Sequence, residues 1–155
     1  MRFLCARMLA GLARWLRAAG YDTDLAAPGE TEADLIARCR EEDRVLVTRS
    51  GRPLAPSGDL KIVRLVDDDE AAQALALARL ADVDWSHAPF TRCLVDNVAL
   101  RETSPDELAR IPAGARTLPG PFRACSACGR LYWPGSHVRR MSTKLQRWGR
   151  LAAAR

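Results

Sequence analysis

The sequence has no long apolar run, only two histidines, and no acidic residue beyond Cys128. No stretch approaches the roughly 18 consecutive apolar residues that a membrane-spanning helix requires. The first residues also lack the charged and then apolar pattern of a secretory signal. No motif supports a nucleotide-binding glycine loop, a Ser/His/Asp triad or a cysteine nucleophile. We therefore predict a cytoplasmic protein with no membrane partner.

Cysteine is scarce and odd in number, with five residues in the chain. An odd count does not favour a disulfide framework, and three of the five stand where metal-binding knuckles place thiolates. The remaining two, Cys5 and Cys39, lie in apolar-periodic segments and are most simply small buried side chains.

The segment Cys125-Ser-Ala-Cys128-Gly129 presents two thiolates on a tight loop, which is half of a tetrahedral zinc site. The other half is Cys93-Leu-Val-Asp96, which has the knuckle spacing but carries Asp in the second place. Asp is a permitted zinc ligand, so Cys93, Asp96, Cys125 and Cys128 could close a tetrahedron. Three alternatives stay open: His137 in place of Asp96, water in that place, or no metal.

Four short apolar runs alternate with helical patterns, which predicts an α/β fold with a parallel sheet and right-handed crossovers. The predicted strands are residues 2–5, 21–25, 44–48 and 61–66, and the predicted helices are 8–19, 31 onwards and 71–81. Short apolar pieces and prolines follow. We predict an α/β core over residues 1–82, a linker over 83–90 and a small metal-stapled module over 91–155 that ends in a basic helix.

The charge is distributed unevenly between the two parts of the chain. Residues 1–90 carry 12 basic and 15 acidic side chains, whereas residues 91–155 carry 12 basic and 4 acidic ones. Seven of these basic residues lie beyond Cys128. Such a basic segment is typical of contact with phosphates, and the alternative is a solvated basic helix.

Four motifs occur in order along nearly the whole chain. They are Phe3-Leu4-x-x-x-Met8-Leu9 with Leu12-Ala13-Arg14-Trp15-Leu16-Arg17 and Gly20-Tyr21-Asp22, then Val45-Leu-Val-Thr-Arg49, then Arg92-Cys93-x-x-x-Asn97, and finally Cys125-x-x-Cys-Gly-x-x-Tyr-Trp-x-Gly-Ser-His137. Together they resemble the Mut-seven C-terminal RNase domain family. The resemblance implies a PIN-like parallel sheet flanked by helices, a small zinc-ribbon-like module, and RNA as the partner.

The resemblance also implies carboxylates at the carboxyl ends of neighbouring parallel strands, where they hold Mg²⁺ or Mn²⁺. Two of the expected acids are replaced, by Ala6 after the first strand and by Ser50 after the third. The remaining catalytic candidates are Glu32, Asp34 and Asp67. Asp34 can instead cap its helix, and Asp67 can belong to a solvated helix start.

The candidate contacts to nucleic acid are the basic residues of the final helix and an aromatic pair beside the second knuckle. They are Arg139, Arg140, Lys144, Arg147, Tyr132 and Trp133. The aromatic pair could stack on unpaired bases or close the small core of the ribbon.

Two hypotheses follow. The first is a PIN-like, metal-dependent ribonuclease, and the second is a non-catalytic RNA-binding or partner-binding protein with a zinc ribbon, which Ala6 and Ser50 favour. Structural zinc is expected in both cases, and Mg or Mn only if the chain is catalytic. A third interpretation, a zinc-stapled scaffold for another protein, stays open.

Overall fold

The computed structural model describes residues 1–51 and 58–154 and contains two sheets. The first has four parallel strands in the order β2-β1-β3-β4: β1 (Arg2–Cys5), β2 (Asp22–Leu25), β3 (Val45–Thr48) and β4 (Ile62–Arg64). Its helices are a 3₁₀ turn (Arg7–Leu9), α1 (Ala10–Ala18), α2 (Glu32–Glu42) and α3 (Glu70–Ala81). The predicted α/β fold, with a parallel sheet flanked by helices, is confirmed. Residues 52–57 of the predicted core lie outside the described residues.

Local signals set the ends of α1 and α2. Gly20 follows α1 with a φ of +98°, and a Cβ at this position would lie 2.3 Å from the carbonyl oxygen of Ala88, so a side chain would clash with the backbone. At the start of α2, the Thr31 hydroxyl accepts from the Asp34 N–H at 3.3 Å. The Asp34 carboxylate accepts from the Thr31 N–H at 2.8 Å, which completes a capping box.

The second sheet has three short antiparallel strands in the order β5-β6-β7: β5 (Arg101–Glu102), β6 (Arg123–Ala124) and β7 (Leu131–Tyr132). Two short helices, α4 (Pro105–Ala109) and α5 (Ala113–Arg116), connect β5 to β6, and α6 (Ser136–Ala153) follows β7. The zinc-ribbon-like module and the division into residues 1–82, 83–90 and 91–155 stay predictions. Among the described residues, no helix combines the length and the apolar character needed to cross a membrane.

Helix α6 packs against the helices of the first sheet. Three of its side chains are buried in the same core as residues of α1 and α3: Met141, Leu145 and Trp148. The Trp148 ring meets Trp15 of α1 and Trp85 edge-on, with centroid separations of 5.0 Å and 5.1 Å. The Trp85 indole N–H donates to the Ala74 carbonyl oxygen at 3.1 Å. Because such aromatic pairs add about 0.5–1.5 kcal/mol beyond burial, the three indoles hold α6 in place against the core.

Asn97 covers the edge of β2. Its side-chain oxygen accepts from the Thr23 N–H at 2.9 Å, and its side-chain nitrogen donates to Asp22 at 2.8 Å and to Asp24 at 3.2 Å. Asn97 has a φ of +61°, a left-handed conformation that asparagine tolerates better than most residues. The amide therefore satisfies part of an otherwise open sheet edge and attaches the turn that begins at Cys93 to the first sheet.

Asp22 is kept ionised by its neighbours. Its carboxylate accepts from Arg44, whose side chain is only 5% exposed, at 2.7 Å. Partial burial opposes ionisation, but the hydrogen bonds from Arg44 and Asn97 lower the pKa of Asp22 from 3.8 to about 2. Because the folded pKa lies below the unfolded one, the stabilisation is present above about pH 4 and is lost as the pH falls towards about 2.

We expect Asp22→Asn to lower the free energy of unfolding at neutral pH by about 2 kcal/mol, and to flatten its pH dependence between about pH 4 and 2. Urea unfolding at a series of pH values measures both effects. The matched control is Glu41→Gln, which alters an exposed carboxylate of α2 and should change stability by less than about 0.5 kcal/mol. If the free energy of unfolding of Asp22→Asn falls as steeply between about pH 4 and 2 as that of the unmodified chain, Asp22 is not the source of this pH dependence.

Candidate functional site

Four side chains from two separate turns converge on one point. They are Cys93, Asp96, Cys125 and Cys128, and their ligand atoms all lie within 4.8 Å of one another. Within residues 1–51 and 58–154 this is the one group of three or more His, Cys, Asp or Glu side chains arranged closely enough to hold a metal ion. The two halves identified from the sequence meet, and together they could hold a metal such as zinc.

The distances fit tetrahedral zinc. Zinc bonds of about 2.3 Å to sulfur and about 2.1 Å to oxygen, at tetrahedral angles, place two sulfurs about 3.8 Å apart and a sulfur and an oxygen about 3.6 Å apart. The Sγ atoms of Cys93 and Cys128 are 3.8 Å apart. The Oδ2 atom of Asp96 lies 3.4 Å from Cys93 Sγ and 3.5 Å from Cys125 Sγ. A carboxylate oxygen can therefore serve as the fourth ligand.

The two turns have matching backbones. Asn97 donates its N–H to the Cys93 carbonyl at 3.1 Å, and Gly129 donates its N–H to the Cys125 carbonyl at 2.9 Å. Both donors have positive φ, +61° and +70°, which is why one position holds asparagine and the other glycine. Asp96 thus occupies, in the first turn, the place that Cys128 occupies in the second.

Two hydrogen-bond donors lie beside Cys93 Sγ. The Asp96 N–H lies 3.5 Å away and the Tyr132 hydroxyl 3.3 Å away. The hydroxyl oxygen accepts from the Leu94 N–H at 3.0 Å, so its own hydrogen is free for the sulfur. Partial burial raises the pKa of the Cys93 thiol, but the hydrogen bonds from the Asp96 N–H and the Tyr132 hydroxyl outweigh it and hold this pKa below its usual range. This environment favours the thiolate, which is the form that binds metal.

Sequence reasoning missed this contact of Tyr132. The sequence predicts base stacking or a place in the core of the ribbon for Tyr132, and the structure also places its hydroxyl beside a candidate metal ligand. Its closeness in sequence to Cys128 was the available signal. His137 lies outside the cluster, and its Nε2 is 3.3 Å from a guanidinium nitrogen of Arg14 on α1.

A second candidate site lies at the carboxyl ends of β1 and β3, where a cavity of about 250 Å³ opens. Ala6 follows β1, Ser50 follows β3, and both line this cavity together with Glu30 and Glu32. This is the edge at which open parallel sheets bind ligands. We call this cavity the strand-end crevice.

Only one of the two carboxylates in the strand-end crevice is unengaged. Glu30 accepts from the Ala27 N–H at 2.6 Å and from Arg38 at 2.9 Å and 3.0 Å, and these bonds keep the pKa of Glu30 below its usual range. The side chain of Glu32 makes no hydrogen bond or ion pair with any residue in the described part of the chain. Because Mg²⁺ is bound through carboxylates and waters, a single free carboxylate makes a weak site.

Of the other acidic candidates, Asp34 takes part in a helix start, and Asp67 is followed by two acids that take part in an ion pair and a helix start. The Asp34 carboxylate closes the capping box of α2. After β4, the Asp69 carboxylate caps α3, the Asp68 carboxylate pairs with Arg49, and the Asp67 carbonyl accepts from the side chain of Gln73 at 2.9 Å. Neither Asp34 nor Asp67 lines the strand-end crevice, and a catalytic role for them stays a prediction.

The basic side chains of α6 fall into two groups. Three of the predicted contacts to nucleic acid are exposed: Arg139, Arg140 and Arg147. Lys144 instead pairs with Glu70 of α3, and its ammonium group lies 4.8 Å and 5.1 Å from the ring centroids of Trp15 and Trp148. Its charge therefore contributes to the packing of α6, whereas the arginines are available to a partner.

Comparison with known proteins identifies a family for the chain. The family model described as Mut7-C RNAse domain matches residues 1–145. The human protein named exonuclease mut-7 homolog is 24% identical over 221 aligned positions, which cover 92% of this chain. The chain spans about a quarter of the length of that relative. No solved structure matches the chain. Because the family model covers almost all of it, the chain belongs to the Mut7-C RNAse domain family.

Proposed function

We propose that the chain binds RNA without hydrolysing it, and that the Cys93, Asp96, Cys125 and Cys128 cluster holds a structural zinc ion. The observation that carries the proposal is the strand-end crevice, where two neutral side chains, Ala6 and Ser50, stand beside one unengaged carboxylate. Membership of an RNase domain family supports a nucleic acid as the partner.

The absence of hydrolysis follows from charge. A hydrolytic Mg²⁺ or Mn²⁺ must be held by several oxygens and must lower the pKa of its bound water. Ala6 offers no ligand atom, and Ser50 offers a neutral hydroxyl. Glu30 is paired with Arg38, so Glu32 is the one unpaired carboxylate among the described residues that line the crevice, and Arg7 adds a positive charge to the same lining. We infer that the strand-end crevice does not hold the Mg²⁺ or Mn²⁺ that phosphodiester cleavage needs. RNA binding does not require this ion.

The proposed zinc ion has a structural role. It would be held by the thiolates of Cys93, Cys125 and Cys128 and the carboxylate of Asp96, and it would supply a cross-link between the two turns. Since Asn97 attaches the first turn to β2 and the second turn joins β6 to β7, this cross-link would hold the second sheet against the first. The orientation of α6 after β7 would then be fixed as well.

RNA binding should depend on the exposed arginines of α6. We expect the triple variant Arg139→Ala, Arg140→Ala, Arg147→Ala to weaken binding to a single-stranded oligoribonucleotide and to reduce the slope of log K against log salt by up to about two, at roughly 0.7 per phosphate contact. Fluorescence anisotropy at a series of salt concentrations measures the slope. Lys144 is left unchanged because its charge is engaged within the fold.

The control for this experiment is the double variant Arg79→Ala, Arg116→Ala, which removes two exposed positive charges outside α6. It should leave the salt slope nearly unchanged, because a charge that touches no phosphate releases no counterion. If the slope of log K against log salt is the same in the unmodified chain and the triple variant, these three arginines do not contact phosphates and only face solvent.

The alternative function is a metal-dependent ribonuclease. It is favoured by one observation, that Glu30 and Glu32 face the same cavity as the positions where family acids are expected. This alternative requires that the unmodified chain cleave RNA in Mg²⁺ or Mn²⁺ and lose the activity in Glu32→Ala.

A further inference from the structure

A larger cavity, of about 440 Å³, lies between α1, the Cys93–Asp96 turn, β7 and the first turn of α6. We call it the knuckle cavity. Its basic side chains are Arg14, Arg130 and His137, and its apolar wall includes Leu94 and the indole of Trp133. The volume is within the range of about 300–1,000 Å³ that is typical of pockets for small ligands.

The lining of the knuckle cavity is basic. No acidic residue is found among the described residues that line it. The guanidinium of Arg14 contacts His137 Nε2 at 3.3 Å. The side chain of Arg130 makes no hydrogen bond or ion pair with any residue of 1–51 or 58–154, although its charge acts at longer range on Asp96 and helps to lower the pKa of that carboxyl. Helix α6 begins at this cavity with no acidic residue in its first turn and no side-chain cap. Its positive end therefore faces further cations, an arrangement that a bound anion would stabilise.

An aromatic surface lies beside these cations. A Cβ at Gly135 would lie 2.8 Å from Nε1 of Trp133, so the absence of a side chain there lets the indole lie close to the start of α6. The indole thus forms part of the wall of the knuckle cavity, next to the basic groups. A flat apolar ring beside clustered guanidinium groups suits a ligand that joins a base to a phosphate.

We propose that the knuckle cavity binds the terminal phosphomonoester of an RNA strand and stacks the terminal base on Trp133. A terminal phosphate carries a charge of about −1.5 to −2 at neutral pH, compared with about −1 for an internal phosphodiester. The two arginines and the helix N-terminus match the larger charge. The inference rests on the proposed RNA binding, because it assigns the end of the strand to this cavity and the interior to the arginines of α6.

The proposal predicts a preference for phosphorylated ends. Calorimetric titration of the zinc-loaded chain should show that a short oligouridylate with a 5′-phosphate or a 3′-phosphate binds about tenfold or more tightly than the same strand with hydroxyl ends. The two phosphorylated strands distinguish which end enters the cavity. Uridine monophosphate, uridine and inorganic phosphate, titrated alone, measure the separate contributions of phosphate and base.

The arginine variants test the location. Arg14→Ala with Arg130→Ala should reduce the preference to about one while leaving the affinity for the hydroxyl-ended strand within about twofold. The matched controls are Arg14→Lys with Arg130→Lys, which keeps the charge, and Arg147→Ala, which should weaken all strands and keep the preference. Because Arg130 lies near Cys128, the zinc content of each variant is measured as well.

The outcomes separate this inference from RNA binding by α6. If strands bind with no preference for a phosphate, or with a preference that survives loss of Arg14 and Arg130, the assignment of the knuckle cavity is wrong and the proposed function stands. If hydroxyl-ended strands do not bind but uridine monophosphate does, dependent on both arginines, the cavity is supported and RNA binding by α6 is wrong. If no probe binds, both proposals fail.

Discussion

The double variant Ala6→Asp, Ser50→Asp should cleave RNA in the presence of Mg²⁺ or Mn²⁺, whereas the unmodified chain should show little or no metal-dependent cleavage. The two new carboxylates would join Glu32 in the strand-end crevice, where the positions already lie around one cavity. A bound dication contributes several kcal/mol to stabilising the transition state, and each increment of about 1.4 kcal/mol is tenfold in rate. We therefore expect the double variant to cleave RNA at least about a hundredfold faster than the unmodified chain.

The backbone is compatible with both substitutions. Ala6 precedes the 3₁₀ turn with φ −56° and ψ 146°, an N-cap position in which Asp is favoured. The Ser50 carbonyl accepts from Arg64 at 3.2 Å, a backbone contact that a new side chain at this position does not remove. The matched control is Ala6→Asn, Ser50→Asn, which adds similar volume without charge and should stay inactive.

Each single substitution should give much less activity than the pair, because ligands that share one ion do not contribute additively. Cleavage of a labelled oligoribonucleotide, with and without chelator, measures the effect, and Glu32→Ala in the double variant should abolish it. A folded double variant that binds no divalent ion and cleaves no RNA would contradict the strand-end crevice as the location of a divalent site. Cleavage by the unmodified chain would contradict the proposed function.

Removal of zinc should destabilise the second sheet more than the first. Metal affinity at such a site is folding free energy, worth about 10–16 kcal/mol in isolated zinc-binding peptides. Even a fraction of this, spread over a chain of this size, corresponds to a fall in melting temperature of about 10 °C or more. Hydrogen exchange should show faster exchange at β6 and β7, which flank the second turn, than at β1.

Asp96→Cys should bind zinc at least about tenfold more tightly, because thiolate is the softer ligand and structural sites favour sulfur. Asp96→Ala should bind it more weakly. Asp106→Cys, which places a cysteine on exposed α4, is the control and should leave affinity unchanged. Competition with a chromophoric chelator measures each affinity. Reduced protein that contains no zinc, with the same stability in chelator, would show that the cluster is not a zinc site.

The elements of the first sheet could be predicted from the sequence because their signals are local. Alternating apolar runs and helical periods gave all four strands and three helices, and the Thr31 to Asp34 capping box and the glycine after α1 marked helix ends. The metal cluster could be predicted for a similar reason. The two turns have the same spacing between their ligand residues, and this spacing is local. The residue types that could bind a metal can therefore be identified from the sequence, without knowing that the turns lie close together.

The roles of individual side chains depended on distant contacts that no local pattern contains. Glu32 and Asp34 are two residues apart, yet one lines the strand-end crevice and the other turns back to cap α2. In the sequence Lys144 is one of several basic residues of the final helix, but in the structure it pairs with Glu70, 74 residues away in the chain. Tyr132 similarly meets Cys93 across 39 residues.

The sequence by itself determined the parallel α/β core, the residue types of the candidate metal cluster and the neutral side chains of Ala6 and Ser50 after β1 and β3, because these follow from periodicity, spacing and residue identity. Only the tertiary structure decided which charges remain unengaged and which cavities they face. The physical reason is that an ionised side chain pairs with an opposite charge or a helix end close to it in space. These partners come close only when α6 and the two turns pack against the first sheet.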